Sequence, residues 1–292
     1  MDRKKILEAG KIVSEIREDA RSFIKKGMLL IEIANRIEDK MEAMRVKPAF
    51  PTCLSINDIA AHGTPSYDDK RVAEGLLKID MGVHIDGWIS DTAFSLDLED
   101  SEENKKIIKA SEEALENVIK KIKKGIGIRE IGQTVMETME SQGFSPIINL
   151  FGHEVRNYEL HSEISIPNFD NRNDTPLPVG LYAIEPFATS GSGKIHDGGP
   201  SGIYMLLDDK NIRSPIAREV LELIKKEYTS LPFCSRWIVK KLGAKALIGL
   251  KQLESNGNLH HYAELVENSH ENVAQTEHTI LVEDGGITVT TK

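Results

Sequence analysis

Two aspartates, Asp80 and Asp91, lie on opposite arms of a hairpin that the sequence predicts for residues 77–96. The first arm alternates between apolar and polar residues, which is the period of a half-buried β-strand. Asp86 and Gly87 between the arms tolerate the two positive φ angles of a type I′ turn, and such a turn fixes the strand register. In that register both carboxylates lie on one face as diagonal neighbours, about 7–8 Å apart at the backbone.

Two carboxylates at this separation repel each other and lose hydration unless a positive charge lies between them. Neither arm carries an arginine on that face, whereas a divalent metal ion would bind to both groups. The alternative is a pair of solvated aspartates on an exposed sheet face. Ile89 and Ala93 share the face and are apolar, which argues against that alternative, so the hairpin predicts a metal site.

Further candidate ligands occur in the second half of the chain. Glu185 lies in a predicted strand on a face that is otherwise small and apolar, and Glu277 lies in the middle of a second β-rich run. Carboxylates are uncommon in strand centres, although either residue alone is also typical of a half-exposed position. His153, which follows a glycine, adds a nitrogen. Two aspartates, two glutamates and one histidine form a donor set suited to two divalent ions that share bridging carboxylates.

Two other histidines have settings that could bring a ligand within reach. His161 follows His153 by eight residues, although a pair at that spacing is by default a surface or turn-capping pair. His62 lies in a loop of small residues, 57–65, that allows a close approach. The other six histidines receive no role: His84, His196, His260, His261, His270 and His278.

Four amphipathic helices are predicted, in two pairs that precede the chemical residues. They cover residues 2–26, 33–44, 107–122 and 131–139. A shift of 98 residues places the segment 24–48 on 122–146, where nine of twenty-five positions are identical. One explanation is convergence of two lysine-rich helices, and the other is internal duplication. Duplicated halves would pack around a pseudo-twofold axis, with a ligand site at their junction.

A helix-rich segment, residues 203–264, interrupts the second half between the two glutamates. It predicts three short helices followed by a strand. Between residues 210 and 251 there are ten Lys and Arg against three Glu, an excess of +7 in an acidic chain. The default interpretation is the solvated face of a winged-helix-like subdomain, and the alternative is a patch that faces RNA or the ribosome. The predicted domains are residues 1–202 with 265–292, and residues 203–264.

The composition is that of an ordinary globular protein: 292 residues, of which 40% are hydrophobic and 28% charged, enough for one large domain or two. No apolar run approaches the roughly eighteen residues of a membrane span, and the first helix lacks a signal-peptide core, so we expect a cytoplasmic protein with no membrane contact. Cys53 and Cys234 are expected to be free thiols, so oxygen and nitrogen must hold any metal. The net charge of −9 disfavours general affinity for nucleic acid.

Five sequence blocks resemble the signature motifs of the methionine aminopeptidases. They are FPTCLSIN with AAHGTP (50–65), KIDMGVHIDGWISDTAF (78–94), FGHEVRNYELHSEISIPN (151–168), YAIEPFAT (182–189) and AQTEHTILVE (274–283). The similarity extends from the first helix to the last strand. The helical insertion resembles that of the type 2 enzymes, and the absence of a charged N-terminal extension resembles the archaeal form.

This resemblance implies an α/β pita-bread fold, in which two pseudo-twofold-related halves form a curved antiparallel sheet covered by helices, plus the insertion. It also implies two divalent cations, Co, Fe, Mn or Zn, both bridged by Asp91 and Glu277. The implied metal ligands are Asp80, Asp91, His153, Glu185 and Glu277. The implied substrate contacts are His62 and His161, together with Phe50 and Tyr262 on the wall of the methionine side-chain pocket.

The implied activity is removal of the N-terminal methionine from nascent proteins and peptides by metal-assisted amide hydrolysis, with a preference for a small second residue. Glu185 would be the general base, while His161 would contact the tetrahedral oxygen and His62 the peptide beyond the scissile bond. We expect a monomer that contacts the ribosome. Two rivals stay open: a proline-directed peptidase such as prolidase, which normally lacks the insertion, and a non-catalytic pita-bread protein that binds RNA or ribosomes.

Overall fold

The first half of the chain forms two helices that pack on a long hairpin. The computed structural model describes residues 1–292. In chain order the first half contains α1 (Arg3–Phe23), α2 (Leu30–Ala43), β1 (Lys47–Pro48), β2 (Cys53–Ile56), β3 (Ile59–Ala61), β4 (Leu76–Ile85) and β5 (Trp88–Asp97). The helix predicted for residues 2–26 ends at Phe23, because Ile24 takes an extended backbone with φ −66° and ψ 128°.

The second half repeats this order and carries the insertion, residues 203–264. It begins with α3 (Glu102–Lys121), α4 (Ile128–Glu140), β6 (Ser145–Pro146), β7 (Phe151–Val155), β8 (Ser165–Pro167), β9 (Gly180–Ile184), β10 (Phe187–Thr189) and β11 (Ile195–Leu206). It continues with α5 (Pro215–Glu227), β12 (Phe233–Cys234), α6 (Ser235–Leu242), α7 (Ala246–Ser255), β13 (Leu259–Glu267), β14 (Val273–Gln275), β15 (His278–Glu283) and β16 (Gly286–Val289). None of the seven helices is both long and apolar enough to cross a lipid bilayer.

The hairpin of β4 and β5 has the predicted turn and register. Asp86 and Gly87 both have positive φ, 48° and 82°, as a type I′ turn requires. Gly82 pairs with Asp91, which makes Asp80 the diagonal neighbour of Asp91. The opposite face packs against α1 and α2 through Ile79, Met81 and Val83. The carboxylate face is therefore turned away from these helices.

Backbone geometry repeats between the halves, as the predicted duplication requires. α2 and α4 begin 98 residues apart, as do β1 and β6. Gly27 and Gly125, separated by the same interval, have φ of 85° and 81°. Their N–H groups donate across the fold over 2.8 Å, to the carbonyls of Ala73 and Leu177 respectively. Convergence of two amphipathic helices would not reproduce a turn together with its long-range hydrogen bond.

The two halves meet where β5 passes β14 and β15, a contact that we call the junction. β5 belongs to a sheet with β4 at its centre, whereas β15 belongs to the sheet β16-β15-β9-β7-β8. The Thr279 hydroxyl donates to the Asp91 carbonyl over 2.8 Å and accepts from the Asp91 N–H over 2.7 Å. The N–H of Glu277 donates to the carbonyl of Ala93 over 2.9 Å. Hydrogen bonds thus bring together the segments that carry Asp91 and Glu277.

The insertion has its own apolar core and shares a sheet with the body. Its three helices, α5, α6 and α7, and its strand β13 match the predicted elements. In the sheet β12-β11-β13-β3, the strand β3 comes from the first half. β11 and β13 run through the predicted boundaries at 202/203 and 264/265, so a division at these positions stays a prediction.

Replacing Gly87 with alanine tests how firmly the hairpin turn is fixed. The alanine would hold an unfavourable φ of 82°, and its methyl group would overlap the ring of Tyr158. Gly27→Ala is the matched control, because Gly27 has a similar φ but no atom within 4 Å of the added carbon. In urea denaturation we expect the free energy of unfolding to fall by about 1–2 kcal/mol for Gly27→Ala and by about 2–4 kcal/mol for Gly87→Ala. Equal losses would contradict the contact with Tyr158.

Candidate metal centre

The four acidic side chains and His153 converge on one cavity at the junction. Asp80 and Asp91 lie on β4 and β5, and His153 lies on β7. The two glutamates lie between strands, Glu185 between β9 and β10 and Glu277 between β14 and β15. The expectation that both glutamates occupy strand centres is therefore wrong: each stands at a break between two ladders.

The break between β9 and β10 is explained by a proline in the sequence. Pro186 follows Glu185 and has no N–H to donate to a neighbouring strand. β9 pairs with β15 as far as Ile184, and β10 resumes pairing, now with β14, at Phe187. The two glutamates lie in the unpaired stretch between these ladders, so neither side chain is committed to a sheet face.

Ligand atoms of the cluster lie within reach of a common metal ion. One atom from each of Asp91, His153 and Glu277 lies within 4.8 Å of the corresponding atoms of the other two residues. Nε2 of His153 is 3.9 Å from Oδ2 of Asp91 and 3.7 Å from Oε1 of Glu185. A nitrogen and several carboxylate oxygens at these separations suit a divalent cation.

The protein itself does not neutralise the negative charge of this cluster, since no lysine or arginine lines the cavity. Burial and neighbouring carboxylates raise the pKa of Asp91, Glu185 and Glu277, and burial raises the pKa of Asp80 to about 7. Burial also lowers the pKa of His153, so its neutral ring has a lone pair for a metal. Within the cluster, the buried carboxylate oxygens that accept no hydrogen bond are Oδ1 of Asp80, Oδ1 of Asp91 and both oxygens of Glu277. A bound cation would satisfy these oxygens, so the donor set fits a divalent metal.

Gln275 belongs to the cluster, although the sequence offers only a weak signal for it. Its side-chain N–H₂ donates to Oδ2 of Asp80 over 3.3 Å and to Oε2 of Glu185 over 3.1 Å, and the residue is 1% exposed. One amide thus holds together two carboxylates from different halves of the chain. The available signal is its spacing of two residues from Glu277, since residues i and i+2 of an extended chain share a face.

His62 and His161 lie beside the ligands as neutral imidazoles near pH 7. Nδ1 of His62 donates to the carbonyl of Ala263 over 3.0 Å, so Nε2 carries the lone pair, and burial lowers the pKa of this ring. The ring of His161 meets the ring of His153 edge-on, with centroids 4.4 Å apart. The side chain of His161 is exposed at the cavity, and desolvation by the surrounding protein, with His62 nearby, lowers its pKa to about 4.

A cavity of about 300 Å³ brings together all nine residues that the sequence assigned to ligands and substrate contacts. Phe50 and Tyr262 form part of its wall. The ring of Phe50 lies against Gly82, where a Cβ atom would overlap it. The ring of Tyr262 meets His62 edge-on, with centroids 5.4 Å apart. The wall is therefore packed directly against the hairpin that carries the two aspartates. Both cysteines are free thiols, as predicted.

Comparison with known proteins identifies the class of enzyme. Residues 4–284 match the sequence pattern of the metallopeptidase family M24. The chain therefore belongs to the metallopeptidase family M24. The buried Asp, His and Glu cluster at the junction is accordingly a site for a divalent metal.

Within this family the chain is similar to archaeal methionine aminopeptidases. That of Methanocaldococcus jannaschii is 43% identical over 292 residues, which cover 99% of this chain and 98% of that one. That of Pyrococcus abyssi is 42% identical over 297 residues, with 100% of both chains covered. The crystal structure of a methionine aminopeptidase from Thermotoga maritima, 25% identical, has a TM-score of 0.72 and covers 100% of this chain and 98% of that one. The predicted resemblance and the predicted fold are confirmed.

Gln275→Leu should weaken metal binding while the protein stays folded. The variant removes the amide donor shared by Asp80 and Glu185, so the two carboxylates are no longer held in position. Loss of such a supporting contact lowers metal affinity by about 10–100-fold. The measurement is calorimetric titration of chelator-treated protein with Mn²⁺. Gln133→Leu is the control, since Gln133 bonds to Glu137 on its own helix, and equal affinity in both variants would contradict the role of Gln275.

The contribution of Asp80 to the stability of metal-free protein should fall as the pH rises toward neutrality. The pKa of Asp80 is about 7 in the folded chain, above its ordinary value of 3.8, so the folded state binds this proton more tightly. The resulting stability is fully present below pH 3.8 and is lost as the pH rises through 7.

The variant Asp80→Asn removes this dependence. In chelator, we expect it to exceed the wild-type free energy of unfolding by about 1–3 kcal/mol near pH 8, with the difference shrinking toward pH 4. Chemical denaturation across this pH range provides the measurement. A difference in free energy of unfolding between Asp80→Asn and wild type that does not change with pH would contradict the raised pKa of Asp80.

Proposed function

We propose that this protein is a methionyl aminopeptidase, which hydrolyses the bond after an N-terminal methionine in peptides and nascent proteins. The observation that carries the proposal is a single cavity in which four carboxylates and His153, suited to bind metal, lie beside an apolar wall. The full-length similarity to archaeal methionine aminopeptidases supports the same activity. A non-catalytic relative that has lost its ligands would not retain this buried acidic cluster.

We propose Asp80, Asp91, His153, Glu185 and Glu277 as ligands of two divalent ions, with Asp91 and Glu277 bridging both. The bridging role is supported by their position on the two sides of the junction and by their buried oxygens that accept no hydrogen bond. Co, Fe, Mn and Zn all tolerate one nitrogen among carboxylate oxygens. When bound, such ions lower the pKa of water and polarise a carbonyl group.

Glu185 is the proposed general base. One of its oxygens accepts from Gln275, and the other lies 3.7 Å from Nε2 of His153, so the carboxylate is held at the centre of the cluster. In the metal-free protein, burial and the charge of Asp80 raise the pKa of Glu185, so this carboxylate accepts a proton more readily than a solvated one. The proton would pass to the amine that leaves with the second residue.

The two histidines are proposed to hold the substrate in different ways. His62 presents Nε2 as an acceptor, because Nδ1 donates to Ala263, and can therefore receive the N–H of the peptide beyond the scissile bond. His161 is a neutral imidazole at the cavity surface and can donate its ring N–H to the oxygen that becomes negative as the tetrahedral centre forms.

The apolar wall is proposed to select the methionine side chain. Phe50 and Tyr262 face the cavity together with Leu160 and Ile203, so a flexible, unbranched apolar side chain can fill the space beside the ligands. The ring of Phe50 is fixed from behind by Gly82, which limits how far the wall can retreat.

A preference for a small second residue, a monomeric state, a cytoplasmic location and a contact with the ribosome stay predictions. The basic side chains of the insertion supply the surface for that last contact. Those exposed and without an ion pair are Arg213, Arg218, Lys226, Lys245 and Lys251. The domain division, residues 1–202 with 265–292 against 203–264, likewise stays a proposal.

The test of the function is release of methionine from Met-Ala-Ser by protein of measured metal content. We expect hydrolysis of this peptide, and none of its N-acetylated form, because the proposed site receives a free N-terminal amine. A proline-directed peptidase would instead cleave a dipeptide such as Leu-Pro. Metal-loaded protein that cleaves Leu-Pro and leaves Met-Ala-Ser intact would contradict the proposal.

His153 and His161 should separate by role. His153→Ala should lose metal affinity and recover part of its rate with excess metal, because it removes the nitrogen ligand. His161→Ala should keep its metal yet lower kcat by about 10²–10³, the loss typical of one hydrogen bond to a developing oxyanion. Metal stoichiometry and kcat are measured together across a metal titration. Restoration of His161→Ala to full rate by excess metal would make His161 a ligand instead.

A further inference from the structure

Two segments of the first half, residues 50–53 and 61–65, contribute a part of the cavity wall that includes Phe50, a proposed pocket residue, and His62, a proposed substrate contact. They are tied to each other, since the hydroxyl of Thr64 donates to the carbonyl of Thr52 over 2.8 Å. Much of each segment lies outside regular strands. Their position therefore depends on what supports them from outside the cavity.

One largely buried ion pair supports both wall segments. Arg236 of α6, in the insertion, is 4% exposed and binds Glu38 of α2 through two hydrogen bonds, of 2.6 and 2.9 Å. Nε of Arg236 donates to the carbonyl of Pro65 over 3.2 Å. Glu38 in turn accepts from the N–H of Thr52 over 3.4 Å. Each partner of the pair thus holds one wall segment.

Further contacts fix the orientation of this pair. Nη1 of Arg236 also donates to Oδ1 of Asn35 over 3.2 Å, and the indole N–H of Trp237 donates to Glu38 over 2.8 Å. The planar fork of an arginine is required for this arrangement, because a lysine offers no second donor in a fixed direction. The bonds to the wall are therefore held in a defined geometry.

A second ion pair between the same two helices is exposed and makes no hydrogen bond to the wall segments. Lys240 of α6 lies 3.5 Å from Asp39 of α2, but both side chains are more than half exposed and neither makes a hydrogen bond to the wall. An exposed pair of this kind can help to dock α6 on α2. Burying Arg236 and Glu38 carries a desolvation cost, and it adds the two contacts to the wall.

We propose that the pair formed by Arg236 and Glu38 is a positioning device through which the insertion sets the shape of the methionine pocket. Neither residue touches the substrate, and both act through the two wall segments. A small displacement of an apolar wall weakens its contacts steeply, so selectivity for the first side chain depends on this pair. The inference rests on the function proposed above.

The variant Arg236→Lys keeps the positive charge and loses the fork. We expect KM for Met-Ala-Ser to rise about tenfold and the preference for Met-Ala-Ser over Leu-Ala-Ser to fall about tenfold. Metal content should stay unchanged, and kcat for the methionine peptide should stay within about threefold of wild type. Asp39→Asn, which breaks the exposed pair between the same helices, should leave all of these quantities at their wild-type values.

Hydrogen exchange provides a readout that does not depend on activity. The backbone amides of residues 50–54 and 62–66, apart from Pro51 and Pro65, should exchange about tenfold faster in Arg236→Lys than in wild type or Asp39→Asn. Thr64→Val, which removes the bond between the two segments and leaves no buried charge unpaired, should shift KM and selectivity in the same direction by a smaller factor. This second variant tests the step through which the pair acts, the coupling between the two wall segments and the pocket, even where Arg236→Lys does not fold.

The outcomes separate this inference from the function on which it rests. Wild-type protein that binds metal but releases no methionine would refute the proposed function, and the inference with it. An active, methionine-selective wild type together with Arg236→Lys and Thr64→Val variants of unchanged KM, selectivity and exchange would overturn the inference alone. The inference would also be overturned if these variants lost metal and kcat fell equally for both peptides. That pattern would indicate a role in holding the metal centre.

Discussion

Negative charge concentrated in a buried cavity is the constraint on which the rest of this structure depends. Four carboxylates and three histidines line a space that no lysine or arginine reaches. Burial and mutual repulsion raise the pKa of these carboxylates, so the cluster destabilises the fold near neutral pH unless cations are bound. A scaffold that tolerates such a cluster must hold its members together firmly, because each carboxylate on its own would be more stable in water.

The duplicated architecture meets this requirement in two ways. In the first half, Asp80 and Asp91 are fixed by the register of one continuous hairpin. In the second half, Glu185 and Glu277 stand where one ladder ends and another begins, so their side chains can turn inward. Hydrogen bonds across the junction then join the two supports, and the amide of Gln275 links a carboxylate of each half. The candidate metal centre therefore forms only in the assembled fold, although its proposed ligands come from segments nearly two hundred residues apart.

The sequence predicts the features that local interactions determine, and it misses those that depend on residues far apart in the chain. The hairpin register was predictable because the turn residues, Asp86 and Gly87, determine it locally, and the duplication was predictable because glycine positions recur at a fixed interval. The strand breaks at the glutamates depend on which distant strand each segment pairs with, and alternation alone does not specify that choice. The contacts of Gln275 and Arg236 span 90 to 201 residues, so no local pattern reveals them. The nine candidate residues came from motif resemblance and spacing, and the structure brings all of them to one cavity.

The position of the bound ions decides whether the cluster is a bridged metal centre or only an acidic cavity. Crystals grown with Mn²⁺ and measured at a wavelength where manganese scatters anomalously would locate those ions without any assumption about activity. We expect two anomalous peaks in the cavity, each within bonding distance of both Asp91 and Glu277. A single peak bound by only one of these carboxylates, or the absence of any peak among the five ligands, would contradict the bridged centre.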